Sequence, residues 1–255
     1  MYHHQSVNRC PDEQSVALVL VAKQAVPGRV KTRLLPHVSA NVAAAIFNLF
    51  LQRARHLCER AASDNHYIQL VLLFDPPNSI DAWSSWTRWI KLAQPDGDLG
   101  DRLRSAQAIL TKNHTEGCVF LGADAPELTT DHLNWAVDQV RQSICAMVPS
   151  YDGGYVLIGV PRGGQVLLDD IAWSTSQVAA QSRQAAAHNG IALVELPPVA
   201  DIDHHDDLIQ LIGRLRNSSS HVDRLLVEEL TGVLQLPACR SNASDTTRAS
   251  SSPGE

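Results

Sequence analysis

The segment KQAVPGRVKTRL follows an apolar run and gathers four cationic side chains around one Pro-Gly turn, namely Lys23, Arg29, Lys31 and Arg33. Backbone N–H groups of a glycine turn can point at one anion, and Lys and Arg side chains add positive charge. The segment therefore predicts a phosphate-binding loop that includes Gly28, with a solvated basic loop as the alternative. The Walker A pattern G-x-x-x-x-G-K-[ST] is absent, so this is not a P-loop.

Two acidic segments could work beside such a loop. GADAP ends an apolar run at Asp124, and ADID places Asp201 and Asp203 in alternation. Alternate residues of an extended segment lie on one side, so these two are expected to lie together and to complete a site with Asp124. Carboxylates near bound phosphate are ligands for a divalent cation. We therefore predict Mg²⁺ or Mn²⁺ at Asp124 and Asp203.

The alternative for these acids is helix and turn capping. Asp124 could cap the turn that follows it, and Asp206 or Asp207 could cap the helix predicted for LIQLIGRLR. His204 and His205 are adjacent, so their side chains are expected to point apart. A joint histidine metal site is therefore not predicted.

The segment QPDGDLGDRL places glycines on both sides of Asp98 and Leu99, just before a predicted helix. Gln94 could contact a nucleotide base edge, and the helix N-terminus near Gly97 and Gly100 could face a phosphate. The alternative is a capped turn with Asp98 as the N-cap. The spacing does not separate the two interpretations.

The segment PSYDGGYVLIGV contains paired glycines behind an acid. Gly153 and Gly154 could let the backbone approach a ligand closely, and Asp152 is the predicted general base. Asp-Gly is also a strong hairpin signal, so a β-turn is the alternative. A turn at the mouth of the site satisfies both.

The elements that position these residues alternate between strands and helices. Continuous apolar runs predict buried strands at SVALVLVA, YIQLVLLF, GCVFLGAD, SICAMVPS, YVLIGV and IALVEL. Helices are predicted between them, including one from Ser39 as N-cap and one with a threonine cap in LTTDHLNWAVDQVRQ. SIDAWSSWTRWIKLA is predicted as a helix that packs its three tryptophans on the sheet, with base or sugar stacking as the alternative. Such alternation indicates a largely parallel sheet, which binds ligands beyond the carboxyl ends of its strands.

Composition limits the class of protein. The 255 residues suit one domain, predicted at 15–236 between flexible tails at 1–14 and 237–255. The formal net charge of -6 gives no nucleic-acid footprint, and no apolar run is long enough for a membrane span. Five cysteines without C-x-x-C spacing argue against disulfides and zinc ribbons, and no secretory signal is evident, so the cytoplasm is expected. A homodimer through HVDRLLVEELTGVLQL is one interpretation, and a last helix packed on its own domain is the other.

The order of the motifs resembles a bacterial family of GT-A-like transferases, DUF2064, also called radical-SAM/selenodomain-associated transferase 1. The resemblance covers residues 15–216 and rests on KQAVPGRVKTRLLP, QPDGDLGDRL, GADAPEL, PSYDGGYVLIGV, IAWSTSQV and DIDHHDDL. It implies an α/β GT-A fold, a three-layer αβα sandwich with a mostly parallel, Rossmann-like sheet. The fold is similar to that of nucleotidyltransferases such as the molybdenum-cofactor and 2-phospholactate guanylyltransferases.

The resemblance implies a nucleotide or nucleotide-sugar substrate, with phosphates at the basic loop, a metal at Asp124 and an acceptor that stays unidentified. Its customary name favours glycosyl transfer, in which the metal and Lys31 stabilise the leaving diphosphate. Nucleotidyl transfer with release of pyrophosphate is the alternative, and a non-catalytic nucleotide-binding module is a third. The sequence departs from both enzyme patterns, because it lacks a D-x-D at Asp124 and a run of glycines after the first strand.

Overall fold

A computed structural model describes residues 15–112 and 115–235 of the chain. Both predicted tails, 1–14 and 237–255, lie outside these ranges, and so does residue 236 at the end of the predicted domain. Within the described ranges, no helix combines the length and the apolar composition that crossing a membrane requires.

A seven-stranded sheet forms the centre of the molecule, in the order β3-β2-β1-β4-β6-β5-β7. β1, β2, β3 and β4 are parallel, whereas β6 is antiparallel to both β4 and β5. β7 is parallel to β5. The strands span Ser15–Lys23 (β1), Ile68–Asp75 (β2), Ile90–Ala93 (β3), Thr115–Gly122 (β4), Cys145–Pro149 (β5), Tyr155–Pro161 (β6) and Leu193–Glu195 (β7).

The helices span Ala40–Asp64 (α1), Leu99–Lys112 (α2), Thr130–Arg141 (α3), Val178–His188 (α4), His205–Arg216 (α5) and His221–Val233 (α6). The predicted caps are confirmed, since Ser39 accepts a hydrogen bond from Val42 N and Thr129 forms a capping box with His132. Each cap satisfies backbone N–H groups that the first helical turn would otherwise leave unpaired.

The two faces of β1 show how the layers form. Leu18 and Leu20 belong to a core cluster with α1 and α3, whereas Ala17 and Val19 belong to another with α2 and α4. Alternate residues of a strand point to opposite faces, so a continuous apolar run is what a sheet covered on both sides requires. The predicted three-layer αβα architecture with a mostly parallel sheet is confirmed. A third cluster packs α5 and α6 against α1.

The tryptophan segment is not the predicted helix. It forms a short 3-10 turn, Ile80–Trp83, and then runs through turns into β3. Trp83, Trp86 and Trp89 are nevertheless buried and pack against one another, with Trp86 edge-on to Trp83. Three-residue spacing suits successive 3-10 turns as well as a helix, which is why the burial was predicted correctly and the element was not.

Two other predictions concern packing. Cys118 and Cys145 are fully buried and free of disulfides, as expected for small apolar residues. α6 buries Leu226 and Leu230 against its own domain and leaves Val222 exposed. The interpretation of this segment as a last packed helix is therefore confirmed, and a homodimer through it stays a prediction.

Candidate functional site

A cleft of about 640 Å³ opens at the carboxyl ends of β1 and β4, where a parallel sheet is expected to bind its ligand. The loop after β1 forms one wall, and the turn before α2 forms another. Five cationic and four acidic side chains line it: Lys23, Arg29, Lys31, Arg33, Arg102, Asp98, Asp124, Asp201 and Asp203. All four predicted cations therefore lie at one site together with the predicted metal acids.

The Pro-Gly turn after β1 is a type II β-turn. Arg29 N donates to Val26 O at 3.0 Å, and Gly28 at the third position has a φ of 77°. A type II turn requires a positive φ at this position, which glycine adopts without strain. A Cβ at Gly28 would meet nothing within 4 Å, so glycine is needed here for its backbone and not for space.

Lys31 points into the protein. Its backbone is in the left-handed region, with φ 47° and ψ 42°, and its side chain is only 4% exposed. The Nζ atom donates to Ile202 O at 2.6 Å and to Asp203 Oδ1 at 3.1 Å, and it lies 2.5 Å from Asp124 Oδ1. A left-handed lysine costs roughly 1–2 kcal/mol, which the two ion pairs must offset. Lys31 is therefore tied to the acids, in addition to lining the cleft.

Asp124 sits where the loop after β4 meets the segment that carries Asp203. Its side chain is 44% exposed, yet its Oδ1 atom is buried and receives no hydrogen bond from the described residues. Its partner is instead the Lys31 ammonium, which forms an ion pair with this atom at 2.5 Å. The backbone is firmly held, because Ile202 N donates to Asp124 O at 2.9 Å. A ligand that bound this oxygen would therefore have to displace the Lys31 ammonium.

Asp203 is the second carboxylate on Lys31. Arg33 Nη1 also donates to its Oδ2 at 2.7 Å. Burial alone would raise the pKa of Asp203, but the Lys31 ammonium and the Arg33 guanidinium outweigh it and hold that pKa below its ordinary value. Asp207 Oδ2 accepts from the backbone N of Asp203 and of His204, so the predicted capping by Asp207 is confirmed.

Asp201 has no counter-ion of its own in the described structure. Burial, and then the neighbouring carboxylate of Asp152, raise its pKa from 3.8 to about 6. Asp201 and Asp203 line both this cleft and a second one, and Asp201 is the one of the two that pairs with no described cation. The alternation of Asp201 with Asp203 in the sequence indicated that Asp201 belongs to the site. The general base predicted from the sequence was Asp152.

Three further cations line the cleft without an ion pair to any described acid. Lys23 and Arg29 are exposed, and no described residue contacts their side chains through a hydrogen bond or ion pair. Arg102 was not predicted, and it lies one turn into α2, where its side chain reaches the cleft. Its position after the Gly97–Gly100 turn was the only signal that could have found it.

The turn before α2 caps that helix and also forms one wall of the cleft. Asp101 N donates to Asp98 Oδ1 at 2.8 Å, so the capping by Asp98 is confirmed. Gln94 lines the cleft, but its side chain is buried and donates to Ala22 O and Leu73 O. Its Oε1 atom accepts from Arg102 Nη1 at 2.7 Å, so Gln94 also positions that cation.

The two glycines of this turn differ. Gly97 lines the cleft with a φ of 114°, which only glycine adopts readily. Gly100 lies against the Trp173 indole, whose Nε1 atom would be 2.1 Å from an added Cβ. The structure gives Gly100 a packing role, and phosphate binding there stays a prediction.

The Asp152 turn joins β5 to β6 as a hairpin, as the Asp-Gly pair indicated. Gly153 approaches the protein itself, because an added Cβ would be 2.1 Å from Ser176 O. Gly154 N donates to Asp152 Oδ1 at 2.8 Å, and Ser150 Oγ donates to the same atom. Gly153 therefore approaches Ser176 closely, and ligand binding at Gly153 and Gly154 stays a prediction.

The second cleft, also about 640 Å³, adjoins the first and contains Asp152. Five acids line it, namely Glu127, Asp152, Asp201, Asp203 and Asp207. Its two arginines are both paired, Arg33 with Asp203 and Arg214 with Glu127 in a bidentate contact. Tyr151, which is 74% exposed, stands at its edge.

The acidic side chains suit a divalent cation that is coordinated jointly by carboxylate oxygens and by the phosphate oxygens of a substrate. Asp124 and Asp203 supply two carboxylates, and the buried Oδ1 atom of Asp124 lacks a hydrogen bond. Among the described residues there is no group of three or more His, Cys, Asp and Glu arranged to hold a metal. Mg²⁺ is commonly bound by one or two carboxylates together with substrate phosphates, and that is the arrangement these residues could complete.

Comparison with known protein families supports the resemblance that the motifs indicated. The model of a family described as an uncharacterized protein conserved in bacteria, DUF2064, matches residues 58–175. The predicted resemblance to DUF2064 is thereby confirmed, and both the basic loop and the Asp203 segment lie outside the matched residues. No curated protein matches the chain.

Solved structures show the fold. A candidate nucleotide-diphospho-sugar transferase from Desulfovibrio desulfuricans G20 superposes with a TM-score of 0.75 at 24% identity, over 86% of this chain and 96% of its own. A 4-diphosphocytidyl-2C-methyl-D-erythritol synthase from Anaerococcus prevotii DSM 20548 gives 0.52 at 8% identity, over 81% and 100%. The GT-A and nucleotidyltransferase-like fold is confirmed.

The Rv0371c protein from Mycobacterium tuberculosis H37Rv, solved in complex with manganese, gives a TM-score of 0.45 at 18% identity, over 77% of this chain and 97% of its own. A likeness this low supports no inference about metal in this chain.

Proposed function

We propose that this protein is a transferase that binds the diphosphate of a nucleotide sugar at the strand-end cleft and transfers the sugar to a hydroxyl acceptor. The observation that carries the proposal is the division of charge across two adjoining clefts. The first cleft contains Lys23 and Arg29, which pair with no described residue, together with Arg102. The second cleft shares Asp201, Asp203 and Arg33 with the first, and both of its arginines are paired with acids. The first cleft suits an anion, and the second suits an acceptor without negative charge.

The phosphates would be bound by Lys23, Arg29 and Arg102. The type II turn at Gly28 holds Arg29 at the mouth of the cleft, and Gln94 holds Arg102. Charge-assisted hydrogen bonds from such groups are stronger than neutral ones. They also stabilise the negative charge that develops on the leaving diphosphate, without having to reorganise during the reaction.

Asp124 and Asp203 would hold a divalent cation together with the phosphates. When bound, Mg²⁺ or Mn²⁺ supplies positive charge against the leaving diphosphate. The chain's own part is to fix the two carboxylates. Ile202 N holds the Asp124 backbone, and Asp207 holds the backbone of Asp203.

Asp201 would be the general base, in place of the predicted Asp152. With a pKa of about 6, Asp201 is ionised at neutral pH and still basic enough to accept a proton. The acceptor hydroxyl oxygen forms the new bond to the anomeric carbon as the bond to the diphosphate oxygen breaks. The hydroxyl proton passes to Asp201, and the nucleoside diphosphate leaves. Asp152 contributes by keeping the pKa of Asp201 high.

Nucleotidyl transfer is the second candidate, and the nucleotidyltransferase-like fold is what favours it. In that reaction an acceptor phosphate attacks a nucleoside triphosphate and pyrophosphate leaves. An acceptor phosphate in the second cleft would meet five acids and no unpaired arginine among the described residues. Repulsion there argues against a phosphorylated acceptor and for glycosyl transfer.

The two reactions release different products. We would incubate the protein with Mn²⁺ and a panel of nucleotide sugars or nucleoside triphosphates, and assay nucleoside diphosphate and pyrophosphate separately. Neutral polyols, sugars and sugar phosphates would serve as acceptors. The proposal predicts release of nucleoside diphosphate that a neutral acceptor accelerates. Pyrophosphate release stimulated by a sugar phosphate would overturn glycosyl transfer, and binding without any release would support a non-catalytic module.

A further inference from the structure

The Lys31 ammonium occupies the space between the two carboxylates that fit a cation. We propose that Lys31 is the resident counter-ion of Asp124 and Asp203, and that a divalent cation reaches these carboxylates only together with nucleotide phosphates. This inference rests on the proposed function for the identity of the phosphates. Its first step, competition between Lys31 and a metal ion, concerns only the protein's own residues.

The contacts place Lys31 Nζ between the two carboxylates. Lys31 Nζ lies 2.5 Å from Asp124 Oδ1 and 3.1 Å from Asp203 Oδ1, and its side chain is only 4% exposed. A metal ion bound to those same two oxygen atoms would stand where Nζ now stands. Two positive charges cannot share that space, so the ammonium must leave before the metal binds.

The charge of the whole cleft decides when this exchange is favourable. The cleft is lined by one more cation than acid, counting the five cationic and four acidic side chains. A divalent cation alone would add positive charge to a cleft that is already slightly positive. A nucleoside diphosphate brings negative charge with it and therefore offsets the metal. The metal should bind as part of a metal–nucleotide pair.

Lys31 can make the exchange without a change of fold. Its side chain lines the same cleft as Lys23 and Arg29, and lysine carries its charge on a flexible four-carbon chain with rotatable donors. Once a metal takes the carboxylates, the ammonium is free to contact the arriving phosphates. Lys31 would then form ion pairs with the two carboxylates in the free protein and with the nucleotide phosphates in the complex.

The test is a titration of the full chain with Mn²⁺ in the absence of nucleotide. The concentration of free Mn²⁺ is measured by electron paramagnetic resonance. Three proteins are compared: wild type, Lys31→Met and Lys23→Met. Lys23 lines the same cleft but contacts no carboxylate, so its variant controls for the loss of one positive charge. We expect Lys31→Met to bind Mn²⁺ at least about tenfold more tightly than wild type. Lys23→Met should gain clearly less.

Equal gains in the two variants would overturn the counter-ion role, since general charge would then explain both. A second titration adds uridine diphosphate or guanosine diphosphate, with a protein-free mixture as the control. Wild type should bind Mn²⁺ at least about tenfold more tightly with nucleotide than without. Where the wild type binds the nucleotide, equal Mn²⁺ affinity in both conditions would overturn the inference even if Lys31→Met did not fold.

The outcomes also separate this inference from the proposed function. If no nucleotide binds under any condition, the proposed function fails, while a specific gain by Lys31→Met would still establish the counter-ion. If nucleotide binds and Lys31→Met gains no affinity for Mn²⁺, the inference fails and the proposed function stands.

Discussion

Lys31 and Asp124 meet above the carboxyl ends of two neighbouring parallel strands, with the Lys31 Nζ atom 2.5 Å from Asp124 Oδ1. Lys31 follows β1 and Asp124 follows β4, so the pair joins two loops that are distant in sequence. The contact is half-buried, because the lysine side chain is 4% and the aspartate side chain 44% exposed. The pair therefore contributes to stability as well as to the electrostatics of the cleft.

A double-mutant cycle of Lys31→Met and Asp124→Asn should reveal this coupling. We expect an interaction energy of about 1–2 kcal/mol from urea unfolding, reduced from that of a fully buried pair by the exposure of Asp124. The matched control is the more exposed pair Arg214 and Glu127, for which less than about 1 kcal/mol is expected. A Lys31–Asp124 coupling no larger than the control would contradict the structural role.

Lys23 and Arg29 should matter for nucleotide binding and hardly at all for stability. Their side chains are exposed and contact no described partner, so Lys23→Ala or Arg29→Ala should leave the melting temperature nearly unchanged. Each should weaken nucleotide affinity about tenfold, as measured by calorimetry, because a charge-assisted hydrogen bond is lost. Arg88→Ala, an exposed arginine outside both clefts, is the control and should bind normally. Normal binding by both cleft variants would exclude this phosphate site.

Asp201 should impose a pH dependence on transfer. Because its pKa is about 6, kcat/KM should rise as the pH increases through that value and then level off. Asp201→Asn should abolish this rising limb of the pH profile and should remove most of the activity. Asp152→Asn removes the neighbouring carboxylate that raises the pKa of Asp201, so the limb should move to lower pH. An unchanged limb in Asp201→Asn would assign the base to another group.

The same carboxyl should lower stability at neutral pH. The folded pKa of Asp201 lies above its ordinary value of 3.8, so the folded state holds more protons between about pH 4 and 6. Stability from this group is fully present below that window and is lost as the pH rises through it. Asp201→Asn should therefore melt at a higher temperature than wild type at pH 8, and the two should converge near pH 4. A lower melting temperature for the variant at pH 8 would contradict the burial of this charge.

The substitutions Gly28→Ala and Gly153→Ala should reduce the free energy of unfolding by different amounts. Gly28→Ala meets open space and strains only a positive φ, which costs about 1–2 kcal/mol. Gly153→Ala also has a positive φ and places a Cβ 2.1 Å from the backbone oxygen of Ser176, so it should cost clearly more. Urea unfolding would measure both, and equal losses would contradict the close approach at Gly153.

Local patterns predicted the sheet well. Six of the seven strands follow from continuous apolar runs, because a strand buried on both faces needs little else. β3 was missed because it is short and its Ile90 and Ala93 are exposed at the edge of the sheet. The tryptophan segment was assigned the wrong element because helices and 3-10 turns share a spacing near three residues.

The site was predicted less completely, because its contacts join distant segments. The cations after β1 and Asp124 after β4 lie at one cleft, because the ends of neighbouring parallel strands lie side by side. No local pattern could show that Lys31 turns inward to Asp203, or that Gln94 holds Arg102. Nor could spacing show that Gly153 packs closely against Ser176.

The most direct test of the central claim is a thermal-shift panel of nucleotide sugars and nucleoside triphosphates, each with and without Mn²⁺. Binding to the folded state raises the melting temperature, so no acceptor needs to be known. We predict stabilisation by a nucleotide sugar with Mn²⁺, with a smaller effect of that nucleotide alone and none from Mn²⁺ alone. No stabilisation by any nucleotide at millimolar concentration would contradict the claim that this cleft binds nucleotide phosphates.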